Sequence, residues 1–202
     1  MVSVTHPTHA AFVGHQLLAL GDLQQAATAV FRAVALDPDA SILVFSSETG
    51  RLVDLDLRGT EDAVAARYAQ TAAVPADSTK DPGVTRTRGR PRLGVVSREV
   101  TLLPEHWAWL AAQPGGASVA LRKLVLQAMR SSAGQDASRH ARDRTYAFMS
   151  AIAGDFPGFE EATRALFAGD LERLAALTAS WPPDVRKHVA RLLQPAGDES
   201  AG

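Results

Sequence analysis

Between Ala72 and Gly94 the chain has almost nothing to bury. The segment AAVPADSTKDPGVTRTRGRPRLG carries three prolines, three glycines and no periodic apolar pattern. Proline fixes φ and removes an N–H, and glycine loses much backbone freedom on ordering, so this stretch cannot continue a helix or a sheet. It reads as a flexible basic linker over 72–94 and divides the 202 residues into two pieces. Hydrophobic residues at 46% suffice for a core on either side, and charged residues at 21% argue against wholesale disorder. The expected class is α+β. A small N-terminal sheet with one or two helices precedes a mostly α-helical part that starts with a strand-helix-helix unit.

Residues 1–10 read as a flexible leader and 11–71 as an α+β module. AFVG and HQLLALG are short strands, expected as a hairpin. Asp22 is a good N-cap for a helix over 23–36, where Leu23, Ala26, Ala27, Val30 and Val34 recur at helical spacing. Asp37-Pro38 ends that helix, SILVFSS is an apolar strand, and ETG is a turn. RLVDLDLRG alternates apolar and polar residues and predicts a further strand. Thr60-Glu61-Asp62 opens a helix to about Gln70.

After the linker, 95–131 forms the strand-helix-helix unit. Val95 to Leu103 can be a strand, and Pro104 suits the first turn of a helix with Trp107, Leu110 and Ala111 on one face. Gln113-Pro114-Gly115-Gly116 ends it, and Ser118 can cap a second helix with the stripe Leu121, Leu124, Val125 and Ala128. Residues 131–138 read as a polar break. The region 138–194 reads as helices over about 139–153, 157–168, 170–179 and 183–194, and 195–202 as a frayed tail.

The net charge of −1 hides an asymmetry. Residues 1–60 hold three Arg against six Asp and Glu, whereas 84–98 hold five Arg (86, 88, 90, 92, 98) and no acid. Charge focused on one segment says more about an anionic partner than the overall balance does. Arg88-Gly89-Arg90-Pro91 resembles the core of an AT-hook. There glycine admits the backbone to a narrow minor groove, proline keeps it extended, and guanidiniums sit in the negative potential of A·T-rich DNA. The order of basic arm, strand, helix, glycine turn and helix in VTLLPEHWAWLAAQPGGASVALRKLV resembles a ribbon-helix-helix DNA-binding unit.

That resemblance implies a homodimer through residues 96–103, whose strands would pair into a ribbon lying in the major groove of duplex DNA. Arg86, Arg88, Arg90 and Arg92 would anchor the arm. With Val100 and Leu102 inward, Ser97, Glu99 and Thr101 face the groove. Ser118, Arg122 and Lys123 would hold phosphates near the second helix N-terminus. Glu99 fits least well, because a carboxylate near phosphates is costly even where it can accept from a cytosine amino group.

Other chemistry is poorly supported. The absence of cysteine excludes thiolate catalysis and cysteine-ligated zinc, and fits a cytoplasmic protein. Histidines 6, 9, 15, 106, 140 and 188 show no metal-ligand spacing, so no metal or cofactor is expected. Asp54 and Asp56 could hold a cation or act as acid and base, but the commoner reading of such a pair is the solvent face of an amphipathic strand. Convergence of His15 with that pair would be needed for an enzyme, and no catalytic motif is present. Arg139, Arg142 and Arg144 read as a solvated helix face. Trp107, Trp109 and Trp181 read as core, with Trp109 off its helix's apolar face and able to mark a partner surface. No apolar run reaches the ~20 residues of a membrane span, and the first residues lack the pattern of a signal peptide.

Three longer segments, LVFSSETGRLVDLDLRGT, GRPRLGVVSREVTLLPEHWAWLAAQPGGASVALRKLV and FMSAIAGDFPGFEEATRALFAGDLERL, together resemble a bacterial family of uncharacterised proteins, domain of unknown function 2239. The resemblance covers roughly residues 10–193 and implies a bacterial, cytosolic protein, with no activity to carry over. The expected function is a DNA-binding homodimer, a transcriptional regulator, with a non-enzymatic protein-interaction or ligand-sensing protein as the alternative.

Overall fold

The computed structural model describes residues 7–69, 96 and 98–194. They fall into two compact units, one with residues 7–69 and 135–194, the other with residues 96 and 98–134. The first unit is built on a three-stranded antiparallel sheet. Strands β1 (His9–Val13) and β2 (Gln16–Gly21) form the expected hairpin, and β3 (Ile42–Ser46) pairs with the other side of β1, giving the order β2-β1-β3. Helix α1 (Leu23–Leu36) lies between β2 and β3 in the chain. Its start is a reciprocal capping box: Gln25 N–H donates to Asp22 Oδ1 at 2.7 Å, and Asp22 N–H donates to Gln25 Oε1 at 3.1 Å. Helix α2 (Glu61–Ala69) buries Val64 and packs on α1.

Strand alternation gives the sheet two buried faces. Ala11 and Val44 point to Ala26 and Val30 of α1. Ala10, Phe12 and Phe45 point the other way, into a core with Phe148, Met149 and Ile152. Those last residues belong to α4 (Gly116–Ile152), and the same core takes in α5 (Phe159–Ala168), α6 (Leu171–Leu177) and α7 (Pro183–Leu193). The sheet is thus the middle layer of three, with helices from opposite ends of the sequence on its two faces. Phe12, Phe45 and Phe148 meet with ring centroids 4.8 to 6.0 Å apart. Such pairs add about 0.5–1.5 kcal/mol each beyond the area they bury.

Several local expectations are corrected. RLVDLDLRG is not a strand: it makes one isolated bridge, Leu52 to Phe45, and otherwise runs extended. At that bridge the Val53 N–H donates to the Val44 carbonyl and the Arg51 carbonyl accepts from the Ser46 N–H, and beyond it α2 side chains take over. The Asp56 N–H donates to Tyr68 Oη, and the Arg67 guanidinium donates to the carbonyls of Asp56 and Arg58. Val53, Leu55 and Leu57 pack beside the α1 cluster, so the alternation was a packing pattern without a ladder partner. The polar break over 131–138 is also absent, because α4 runs unbroken from Gly116 to Ile152. No proline interrupts SSAGQDASRH, and Gly134 alone costs only about 1 kcal/mol. The Asp136–Arg139 pair at 3.5 Å and a bond from Arg142 Nε to the Ser138 carbonyl run along that stretch.

The expected solvated face Arg139, Arg142 and Arg144 is partly structural. Arg144 Nε and Nη2 donate to the carbonyls of Leu192 and Gln194 at 2.6 and 2.7 Å, at the end of α7. Arg142 Nη1 donates to the Phe167 carbonyl in the last turn of α5. Both cations meet the unsatisfied carbonyls and negative dipole end of a helix. Burial lowers the pKa of Arg144 from the usual arginine value. Trp181 is buried as expected, with its indole N–H donating to the Pro157 carbonyl at 2.9 Å.

Candidate nucleic-acid interface

The second unit begins in extended chain. Leu103 takes φ −65° and ψ 152°, and Pro104 then occupies the first turn of α3 (Pro104–Ala111). Proline at that position loses no hydrogen bond, which is why the helix starts there. The turn into α4 uses two left-handed glycines, Gly115 at φ 89° and Gly116 at φ 73°. A side chain on Gly115 would also crowd Val119, with a Cβ 3.0 Å from Val119 Cγ1. Helix α4 begins at Gly116, so Ser118 is inside its first turn rather than its cap. The Ser118 carbonyl accepts from Arg122 Nε at 3.1 Å, which lays that guanidinium along the helix.

This unit buries little of its apolar surface. Among the described residues only Leu110 and Ala120 are buried. Val96, Val100, Leu103, Trp107 and Trp109 are exposed, as are Leu124, Val125, Leu126 and Met129 on α4. Trp109 is 53% exposed and Met129 62%. Among the described residues, 98–103 form no ladder, and the sheet of the first unit does not include them. Val100 is 55% exposed, so the side chain expected to point inward is left largely uncovered by the described residues.

Of the expected site residues, Arg86, Arg88, Arg90, Arg92 and Ser97 lie outside the described residues. Glu99 and Thr101 are exposed on the extended segment. Ser118, Arg122 and Lys123 lie within the first eight residues of α4, with Arg122 and Lys123 on different sides of the helix. The sequence reading missed Arg130. It lies beside Lys123, Leu126, Gln127 and Ser131 along a shallow groove of about 600 Å³. Helical spacing of Lys123, Gln127 and Arg130 was the available signal, reinforced by the lack of any acid between Gly116 and Gly134. Over residues 76–134 nine basic residues face four acidic ones, a net of +5, while the rest of the chain holds twelve against eighteen, a net of −6.

A family model described as an uncharacterized protein conserved in bacteria, domain of unknown function 2239, matches residues 8–193. The chain belongs to this bacterial family. No curated protein and no solved structure matches it. The family description states no activity, so chemistry in this family member must be read from its residues. Among the described residues no helix is long and apolar enough to cross a membrane.

The rival site in the first unit does not assemble. His15 packs edge-on against Phe156 with centroids 4.8 Å apart. Asp56 is held by Arg58 at 2.8 Å and Arg67 at 3.8 Å, and its hydrogen bonds to Arg58 keep its carboxyl well below the usual range. No group of three or more His, Asp or Glu side chains able to hold a metal occurs among the described residues. His188 is the unexpected histidine. It is buried edge-on against Phe12 and Phe148, its Nε2 has no hydrogen-bond partner, and burial pushes its pKa down to about 4.

Proposed function

We propose that this family member is a homodimeric DNA-binding protein, acting as a bacterial transcriptional regulator. Its 96–103 segments pair into a ribbon, and its arginine arm and α4 N-terminus hold phosphates. The observation that carries the reading is the pairing of two properties in one unit. Residues 76–134 have a net charge of +5, and their described part leaves nine large apolar side chains exposed. A unit that buries so little has no adequate core of its own, and apolar surface of this extent marks an interaction site. A second copy supplies the missing cover and the missing strand partner together. In that arrangement Val100 and Leu102 turn inward while Ser97, Glu99 and Thr101 face the groove. Arg86, Arg88, Arg90 and Arg92 follow the backbone as an AT-hook-like arm, and Ser118, Arg122 and Lys123 contact phosphates.

The test is a salt titration of duplex-DNA binding. If all five arginines of residues 84–98 meet phosphates, one copy gives a log-log slope of about −4 to −5, and two copies double it. Replacing Arg88, Arg90 and Arg92 by Ala should flatten the slope by about 3 per arm. Absence of salt-dependent binding in the wild type overturns the DNA role. A pairing unit without DNA is the second reading, favoured by the exposed Glu99 carboxylate. It predicts a dimer that ignores DNA at every salt concentration.

A further inference from the structure

We propose that the groove between α6 and α7 binds a small amphipathic anion: an apolar body carrying one carboxylate. The groove holds about 450 Å³, within the size range of small-molecule sites. Leu174 and Val189, both buried, form its apolar floor. Ala175 and Ala190 stand on its walls and Leu193 toward one end. The two alanines keep the groove open, because longer side chains at those positions would fill it. The only hydroxyl in the lining, on Thr178, already donates to the Leu174 carbonyl at 2.9 Å. The floor therefore asks for no polar partner and suits hydrocarbon.

Polarity enters from Arg186. Its side chain is exposed at the groove, and no carboxylate pairs with it among the described residues. The neighbouring charges are already engaged: Asp184 accepts from the Leu17 N–H and lies 3.9 Å from Lys187. Arginine's planar fork favours a carboxylate, and its position beside an apolar trough places the charge at one end of the ligand. This site is separate from the DNA reading and does not depend on it.

The probe is decanoate, with decanol as the neutral control, titrated into the full-length protein carrying labelled alanine methyl groups. Decanoate should bind saturably and shift the Ala175 and Ala190 methyl resonances. Arg186→Gln should weaken decanoate by about tenfold and leave decanol unchanged. Ala190→Leu should abolish binding of both, and since Ala190 is exposed it should leave the thermal midpoint unchanged. Ala175→Leu is the second blocking variant should the first disturb folding. Equal affinity for decanol and decanoate in the wild type overturns the proposal. So does undiminished decanoate binding in both blocking variants, which would place the ligand outside this groove.

Discussion

The two units of this chain solve opposite problems. The first buries a sheet on both faces, and among the described residues twenty-two of the twenty-four buried apolar ones lie in it. The second contributes two of those and nine of the sixteen exposed large hydrophobics, in far fewer described residues. Their charges also differ in sign, −6 against +5. One unit is finished within a single copy and acidic; the other is unfinished and basic. The contrast separates stability, which belongs to the first, from association, which the second invites.

The largest expected effect falls on the finished unit. Gly50 is buried at φ 67°, and a Cβ there would stand 1.7 Å from the Arg144 carbonyl oxygen. That neighbour is helix backbone and cannot swing aside. Gly50→Ala therefore combines a left-handed strain with a backbone collision, and should cost on the order of 4 kcal/mol. Urea unfolding followed by circular dichroism measures it. A loss under 1 kcal/mol would show that the ETG turn and α4 are not locked together as described.

That turn also shows where sequence reasoning stopped. ETG announces a turn, but nothing in it reveals that its glycine meets a carbonyl ninety-four residues later. Local signals were legible: the Asp22 cap, the hairpin, Pro104 opening α3, and the helices punctuated by Gly and Pro. Pairing and continuity were not. RLVDLDLRG has strand periodicity, yet it leaves β3 after Val53 and α2 side chains take the backbone groups of Asp56 and Arg58, and polarity over 131–138 does not break a helix that lacks proline. In the candidate interface the basic spacing was readable, whereas the exposure of Trp107, Leu124 and Met129 was not, because helical periodicity alone implies a buried face.

A smaller effect concerns His188 and acid. Burial and the Arg191 cation both disfavour its charged form, lowering its pKa from 6.5 to about 4 in the folded chain. As pH falls below the unfolded value the unfolded state takes the proton first, so stability drops between about 6.5 and about 4. From pH 7 to pH 5 the loss should be roughly 2 kcal/mol. His188→Phe, which fits among Phe12 and Phe148 without a titrating group, should remove this component of the pH dependence. The same slope in wild type and variant would mean that other groups govern acid sensitivity.

The smallest effect on the finished unit is the sharpest test of the unfinished one. Leu124 lies on the α4 stripe with Leu121, Val125 and Ala128 and is 44% exposed in one copy. If the chain works alone, Leu124→Asp is a surface change and should alter stability by no more than about 0.5 kcal/mol. If two copies bury that stripe, the same substitution places a carboxylate in the new core. Sedimentation should then shift from dimer to monomer, while the urea midpoint of the sheet unit stays where it was. The two outcomes cannot be confused, because one changes mass and the other changes nothing. A wild-type protein that sediments as a monomer at every concentration would leave the nine exposed side chains uncovered by a second copy, and the ribbon with no second strand.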